Sequence, residues 1–302
     1  MSDAPVLDLV AVQKHFGAVQ VLRGIDLRVE RGEFLGLVAP NGAGKSTLLR
    51  LLIGMHRRTS GQCSVFALDP DQSSLAIRSR TSYLPGETSV YQQMTGASFL
   101  QFAQSFHRGR DAAIERRLVE LFALPLQARV RSYSAGMKQK LAILAALSVE
   151  VELYLLDEPD RALDATMRME LRQVLRDLHD AGKTLVLSSH HLEELQALAT
   201  RLQFLRSGTL VPDAEVERTR TQLQRRFRLR LARDLPLPAG ATILRREGDG
   251  TLLLEVGDSP AAWLHTLPPD AVRAAELGNA RLEDLYEVLF LQQPAARTGA
   301  AP

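Results

Sequence analysis

From Ile25 to Glu30 apolar and charged residues alternate, with Ile25, Leu27 and Val29 on one face and Asp26, Arg28 and Glu30 on the other. A period of two is that of a half-buried strand. Phe34 to Val38 is an almost unbroken apolar run before a Gly-rich turn, the pattern of a buried strand, and Lys45 to Ile53 predicts a helix stopped by Gly54. Charges flank an apolar spacing of three and four from Ala112 to Leu124, an amphipathic helix. Met137 to Val149 predicts another, with Leu141, Leu144 and Leu147 available for one face. Leu153 to Leu156 and Thr184 to Leu187 predict short buried strands on either side of a helix over Met167 to Asp180. Strand and helix alternate through this stretch, which predicts an α/β layered core.

The pattern changes near Val211-Pro212. Residues Arg226 to Leu231 alternate strictly, Phe227, Leu229 and Leu231 against Arg226, Arg228 and Arg230. Ile243 to Val256, with Asp249-Gly250 in the middle, predicts a hairpin. Ser259-Pro260 predicts the start of a helix running through Leu267, a capping residue followed by proline at the first helical position. The expected organisation is a larger domain over 1–212, a small α+β domain over 213–292, and a flexible tail over 293–302.

Composition narrows the class of protein. The 302 residues carry 37 basic and 35 acidic side chains, a net charge of +2. So even a balance creates no overall field suited to nucleic acid or an anionic membrane. Cys63 is the only cysteine, so no intrachain disulfide can form. The start of the chain has acids where a secretory signal has a basic stretch. No apolar run approaches the roughly 20 residues of a membrane span. These features predict a soluble, cytoplasmic chain whose membrane role, if any, runs through a partner.

Candidate chemistry begins at Ala39-Pro40-Asn41-Gly42-Ala43-Gly44-Lys45-Ser46-Thr47, between a predicted strand and a predicted helix. In such a loop backbone N–H groups converge on phosphate oxygens, aided by the positive end of the helix dipole. Gly42 and Gly44 permit the turns, Lys45 reaches the β- and γ-phosphates, and the Ser46 hydroxyl ligates Mg²⁺. Ala39 stands where the pattern opens with glycine, which is tolerable only outside the left-handed backbone region.

Four further segments follow in a fixed order. Tyr133-Ser134-Ala135-Gly136-Met137-Lys138-Gln139-Lys140 resembles the ABC signature, and Leu153-Tyr154-Leu155-Leu156-Asp157-Glu158-Pro159 is an apolar run entering two acids. Ala162-Leu163-Asp164 resembles the D-loop of that family, and Ser188-Ser189-His190 its switch-histidine segment. Residues 5–211 thus resemble an ABC transporter ATP-binding protein. The resemblance implies a P-loop NTPase, ABC-type ATPase core with a helical subdomain.

It implies roles as well. Asp157 with Ser46 would hold Mg²⁺, Glu158 would act as general base on the attacking water, and His190 would contact the γ-phosphate, although His191 lies next to it. Phe16, in Lys14-His15-Phe16-Gly17, matches the aromatic residue that stacks on adenine. Ser134 and Gly136 would complete the ATP site of a second subunit, giving a homo- or heterodimer joined by ATP.

Three departures stand out. The signature carries Ala135 and Met137, a form familiar in exporter-type members. After Tyr83-Leu84-Pro85-Gly86 stands Glu87 in place of a family glutamine; either Glu87 substitutes for it or its contact is absent. Asp160-Arg161 precedes the D-loop, an acid–base pair that could link two identical chains across a dimer axis. Leu282-Glu283-Asp284-Leu285-Tyr286 resembles the closing segment of the drug-, lipid- and polysaccharide-export branch, whose permease is a separate chain. The implied protein is a peripheral ATPase on the inner face of the membrane. The alternatives are a soluble ABC ATPase acting on nucleic acid, supported only by the Arg226 strand, and an ATP-dependent switch.

Overall fold

The computed structural model describes residues 4–189, 191–233, 235–257, 259–277 and 281–291. The chain divides into two compact units, Met1–Leu210 and Val211–Pro302. The first opens with strands β1 (Leu7–Phe16), β2 (Val19–Val29) and β3 (Phe34–Val38), helix α1 (Lys45–Leu52), β4 (Ser60–Val65), α2 (Pro70–Arg78) and β5 (Thr81–Leu84). A mainly helical stretch follows: α3 (Gly96–Gln104), β6 (Gly109–Arg110), α4 (Ala112–Phe122), α5 (Ala135–Leu147) and β7 (Val149–Glu150). The unit closes with β8 (Leu153–Asp157), α6 (Ala165–Asp180), β9 (Thr184–Ser188), α7 (Leu192–Leu198), β10 (Arg201–Arg206) and β11 (Thr209–Leu210).

Six strands form the central sheet in the order β11-β10-β3-β9-β8-β5, parallel except for β11. Strands β3, β8 and β9 are buried along their whole length, which is why their sequences are nearly continuous apolar runs rather than alternations. A separate antiparallel sheet, β2-β1-β4, packs its apolar face into a core with α1, where Ile25, Val29, Leu49 and Val65 are fully covered. Because β3, β8 and β9 run parallel, the loops leaving their carboxyl ends emerge on one edge of the sheet, the usual ligand position in open α/β sheets.

The second unit contains α8 (Asp213–Gln224), β12 (Arg226–Leu231), β13 (Ala241–Arg246), β14 (Leu252–Val256), α9 (Pro260–Leu264), β15 (Val272–Leu277) and α10 (Leu282–Tyr286). Its antiparallel sheet runs β13-β14-β12-β15 over a core of Phe227, Leu229, Leu254 and Trp263. On the opposite face the arginines of β12 meet carboxylates across the strands: Arg226 with Glu255 at 2.9 Å, Arg228 with Glu247 at 3.4 Å, and Arg230 with Asp249 at 3.6 Å. That pairing neutralises the row which had been the sole support for nucleic-acid binding.

One expectation needs correction, and two strands went unpredicted. The helix expected from Ser259 to Leu267 stops at Leu264, and the Ser259 side chain makes no cap bond. Strands β1 and β4 carry no regular alternation that predicts them. The tail over 293–302 lies outside the described residues.

Candidate active site

The phosphate loop is held by its neighbours on both sides. Gly44 caps α1 in a left-handed conformation, φ 108°, and a Cβ there would stand 3.0 Å from Leu22 Cδ2 and 3.3 Å from the Val21 carbonyl. Only glycine meets both constraints. Gly42 is also left-handed, φ 77°, whereas Ala39 is not among the residues of positive φ, so its methyl group causes no strain. The Ala43 carbonyl accepts the Gly208 N–H at 3.1 Å. Helix α1 has no side-chain cap and no acid in its first turn, so its N-terminal N–H groups meet no competing carboxylate there. Thr47 is half-buried on the same turn.

Lys45 is 7% exposed, and its Nζ donates to the Ala39 carbonyl at 3.0 Å and the Pro40 carbonyl at 3.4 Å. It lies 3.8 Å from Glu158 Oε1. Burial pushes the lysine below its usual pKa, while Glu158 and Asp157 pull it back up. The Ser46 hydroxyl donates to Asp157 Oδ2 at 2.6 Å, and Ser188 Oγ donates to the other oxygen, Oδ1, at 2.6 Å. Asp157 is 2% exposed. Glu158 follows with φ 53°, a left-handed conformation that bulky residues rarely adopt.

Ser46, Asp157 and Glu158 line a cavity of about 690 Å³ together with Asn41, Gly86, Glu87, Asp160, Arg161 and His191. Gly86 is the close neighbour on one wall, where a Cβ would come 3.3 Å from Asp157 Oδ2. Ser46 Oγ and Asp157 Oδ2 are hard oxygen donors in contact, the donor type that suits Mg²⁺. Among the described residues no group of three or more His, Cys, Asp or Glu side chains could hold a metal alone. The donor set therefore fits a Mg²⁺ that takes its remaining ligands from phosphate and water.

Of the other residues singled out in the sequence, Phe16, Ser134 and Gly136 lie away from the cavity. Phe16 ends β1, 44% exposed, with Lys14 Nζ 4.6 Å from its ring centre and His56 edge-on at 5.3 Å; it does not line the cavity. Ser134 is exposed and caps α5 by accepting the Met137 N–H at 3.2 Å, and neither it nor Gly136 lines the cavity. His190 lies outside the described residues, and His191 lines the cavity. Asp160 also lines the cavity but is only 4% exposed, with its carboxylate on the Ser189 hydroxyl. The expected acid–base link between two chains thus lacks an accessible acid. Sequence reasoning missed Ser188, Ser189 and Asp160 as a group, because only the pairing of β8 with β9 brings them together.

Comparison with known proteins identifies the family. The ABC transporter family model matches residues 22–161. The sulfate/thiosulfate import ATP-binding protein of Caulobacter vibrioides is 37% identical over 66% of this chain; the chain spans 62% of that protein's length. The daunorubicin/doxorubicin resistance ATP-binding protein of Streptomyces peucetius is 31% identical over 91% of this chain and 89% of its own. Among solved structures, an ATP-binding subunit of an ABC transporter superposes with a TM-score of 0.63 at 26% identity, covering 70% of this chain and 92% of its own. The chain belongs to the ABC transporter family, and its first unit is that family's ATP-binding cassette.

Proposed function

We propose that this protein hydrolyses ATP to drive export through a separate membrane permease. The observation that carries the chemistry is the meeting of Ser46, Asp157 and Glu158 at one cavity, with Lys45 Nζ 3.8 Å from Glu158 Oε1. Lys45 exchanges its carbonyl partners for β- and γ-phosphate oxygens, which compensate a buried ammonium far better than two neutral acceptors do. Glu158 orients the attacking water and takes its proton. Ser46 and Asp157 would hold Mg²⁺, which when bound would supply charge neutralisation at the phosphates. Phe16 stacks on adenine, and Asn41, Gly42, Ala43, Gly44 and Thr47 surround the phosphates. His190 reads the γ-phosphate.

The exposure of Ser134 and its absence from the chain's own cavity support a dimer in which Ser134 and Gly136 close the site of a second subunit. ATP then favours the closed pair, and hydrolysis releases it. Export is favoured by the extent of similarity. The drug-resistance relative matches 91% of this chain, second unit included, whereas the import relative matches 66%. Among the described residues no helix is long and apolar enough to cross a membrane, in keeping with a permease on another chain and a peripheral position at the inner face.

Purification from native membranes in mild detergent tests the partner: a co-purifying polypeptide with several spanning segments is expected, and recovery without one ends the transporter reading. Inverted vesicles carrying that pair, with daunorubicin as the first probe, should accumulate it only with ATP if export of such cargo is right. Glu158→Gln should slow turnover at least about 100-fold, the scale of a lost general base, while retaining ATP in a dimer seen by size-exclusion chromatography. Normal turnover in that variant would remove Glu158 from the base role.

A further inference from the structure

Two consecutive serines at the end of β9 each meet an aspartate at the end of β8 or just beyond it. Ser188 Oγ donates to Asp157 Oδ1 at 2.6 Å, and the Glu158 N–H donates to the Ser188 carbonyl at 3.0 Å. One residue on, the Ser189 hydroxyl donates to Asp160 Oδ2 and accepts the His191 N–H at 2.9 Å. Asp160 is 4% exposed and Ser189 8%. A carboxylate at that depth is unfavourable unless its acceptor oxygens are used.

The charge around it is mixed: Arg172 on α6 lines a small cavity with Asp160, Ser189 and Glu194. His191 Nε2 stands 3.9 Å from Asp160 Oδ2, beyond hydrogen-bond distance, on a half-exposed ring. Glu194 on α7 is a second acid nearby; burial and the Asp160 charge together hold its carboxyl above the usual range. Arg168 is engaged with Glu194 at 3.3 Å. The Ser189 hydroxyl is the direct partner. Between the two serine–aspartate contacts sits Glu158 in its left-handed conformation, a strained geometry that persists only where neighbours fix it.

We propose that Asp160 is a positioning residue for ATP turnover: through Ser189 it fixes the backbone at His191 against the turn that carries Glu158. Together with the Ser188–Asp157 contact it clamps that turn from both sides, so the Glu158 carboxylate keeps its direction into the cavity. The inference rests on the ATPase reading above. The sequence hides this role, because an acid before the D-loop reads as a surface charge until β8 and β9 are paired.

The test uses the full chain with Asp160→Ala, Ser189→Ala, the double variant and Asp160→Asn. Two quantities are measured: kcat and KM for ATP, and amide hydrogen exchange of a peptide spanning 186–196 without nucleotide. Each alanine variant should lower kcat about tenfold with KM changed less than about threefold, and the double variant should be no worse than the poorer single. Asp160→Asn keeps an acceptor oxygen and should recover most of the rate. Exchange at the His191 amide should rise about tenfold in both alanine variants, because each frees the serine that holds it. Wild-type kcat in both, multiplying losses in the double, or unchanged exchange would overturn the proposal. Should Asp160→Ala fail to fold, Ser189→Ala, which removes a single oxygen, decides it. A wild-type protein that does not turn over ATP refutes the ATPase reading instead; exchange then decides the clamp alone, with acceleration supporting it and no change ending it.

Discussion

Lys45 keeps an ammonium group where 7% of the residue meets solvent, satisfied by two loop carbonyls and a carboxylate at 3.8 Å. Polyphosphate would offer that ammonium stronger acceptors than the two carbonyls, so Lys45→Ala should weaken ATP binding about 100-fold or more, about 2.7 kcal/mol. Titration with a fluorescent ATP analogue measures it, and affinity within about threefold of wild type would contradict the assignment. The residue type and spacing made Lys45, Ser46, Asp157 and Glu158 readable in the sequence, because each sits beside a glycine turn or a buried strand. Cys63 was readable only as a lone thiol. Its burial, which pushes it up to about 12, makes it inert toward thiol reagents in the native state.

Single contacts also decide where elements begin and end. Ser134 starts α5 at Ala135, two residues before the apolar spacing begins at Met137, because its hydroxyl takes an N–H of the first turn. The helix at Pro260 ends at Leu264, where the Thr266 N–H turns to the Trp263 carbonyl and the Leu267 N–H to the Leu264 carbonyl, tighter bonds than those of an α-helix. Strand β1 escaped the sequence because register shifts fall between Leu9 and Val12 and again before His15, with Ala11 left-handed at φ 49°; the bulges destroy the period of two. Helix α2 depends on Asp69, which accepts the Asp71 N–H at 2.9 Å and both terminal guanidinium nitrogens of Arg58 at 2.7 Å. Asp69→Ala should cost about 1–2 kcal/mol at pH 7, read from thermal melts. The Arg58 hydrogen bonds hold the Asp69 carboxyl below its usual range. Its contribution is therefore complete above the unfolded value, about 3.9, and fades as pH falls through the lower folded one, so the gap between wild type and variant should close below about pH 4.

For the whole molecule the two units have separate cores, and the single tryptophan belongs to the second. Trp263 packs on Phe227 with ring centres 5.5 Å apart, and its Nε1 donates to the Ala239 carbonyl at 3.1 Å. Trp263→Ala should destabilise that unit by about 3–5 kcal/mol, seen as an earlier denaturant transition by circular dichroism. Nucleotide affinity should stay within about twofold, as expected for independent sites. A matching loss of affinity would mean that the second core supports the ATP site. The sequence by itself determined the α/β alternation, the buried strands, the phosphate loop and the order of the acidic and signature segments, because local periodicity and glycine chemistry act over a few residues. Tertiary structure alone decided that Asp160 is buried, that the β12 arginines are neutralised, and that Ser188 and Ser189 reach Asp157 and Asp160. Those contacts join residues about 30 positions apart through strand pairing, and no local pattern records which strand lies beside which.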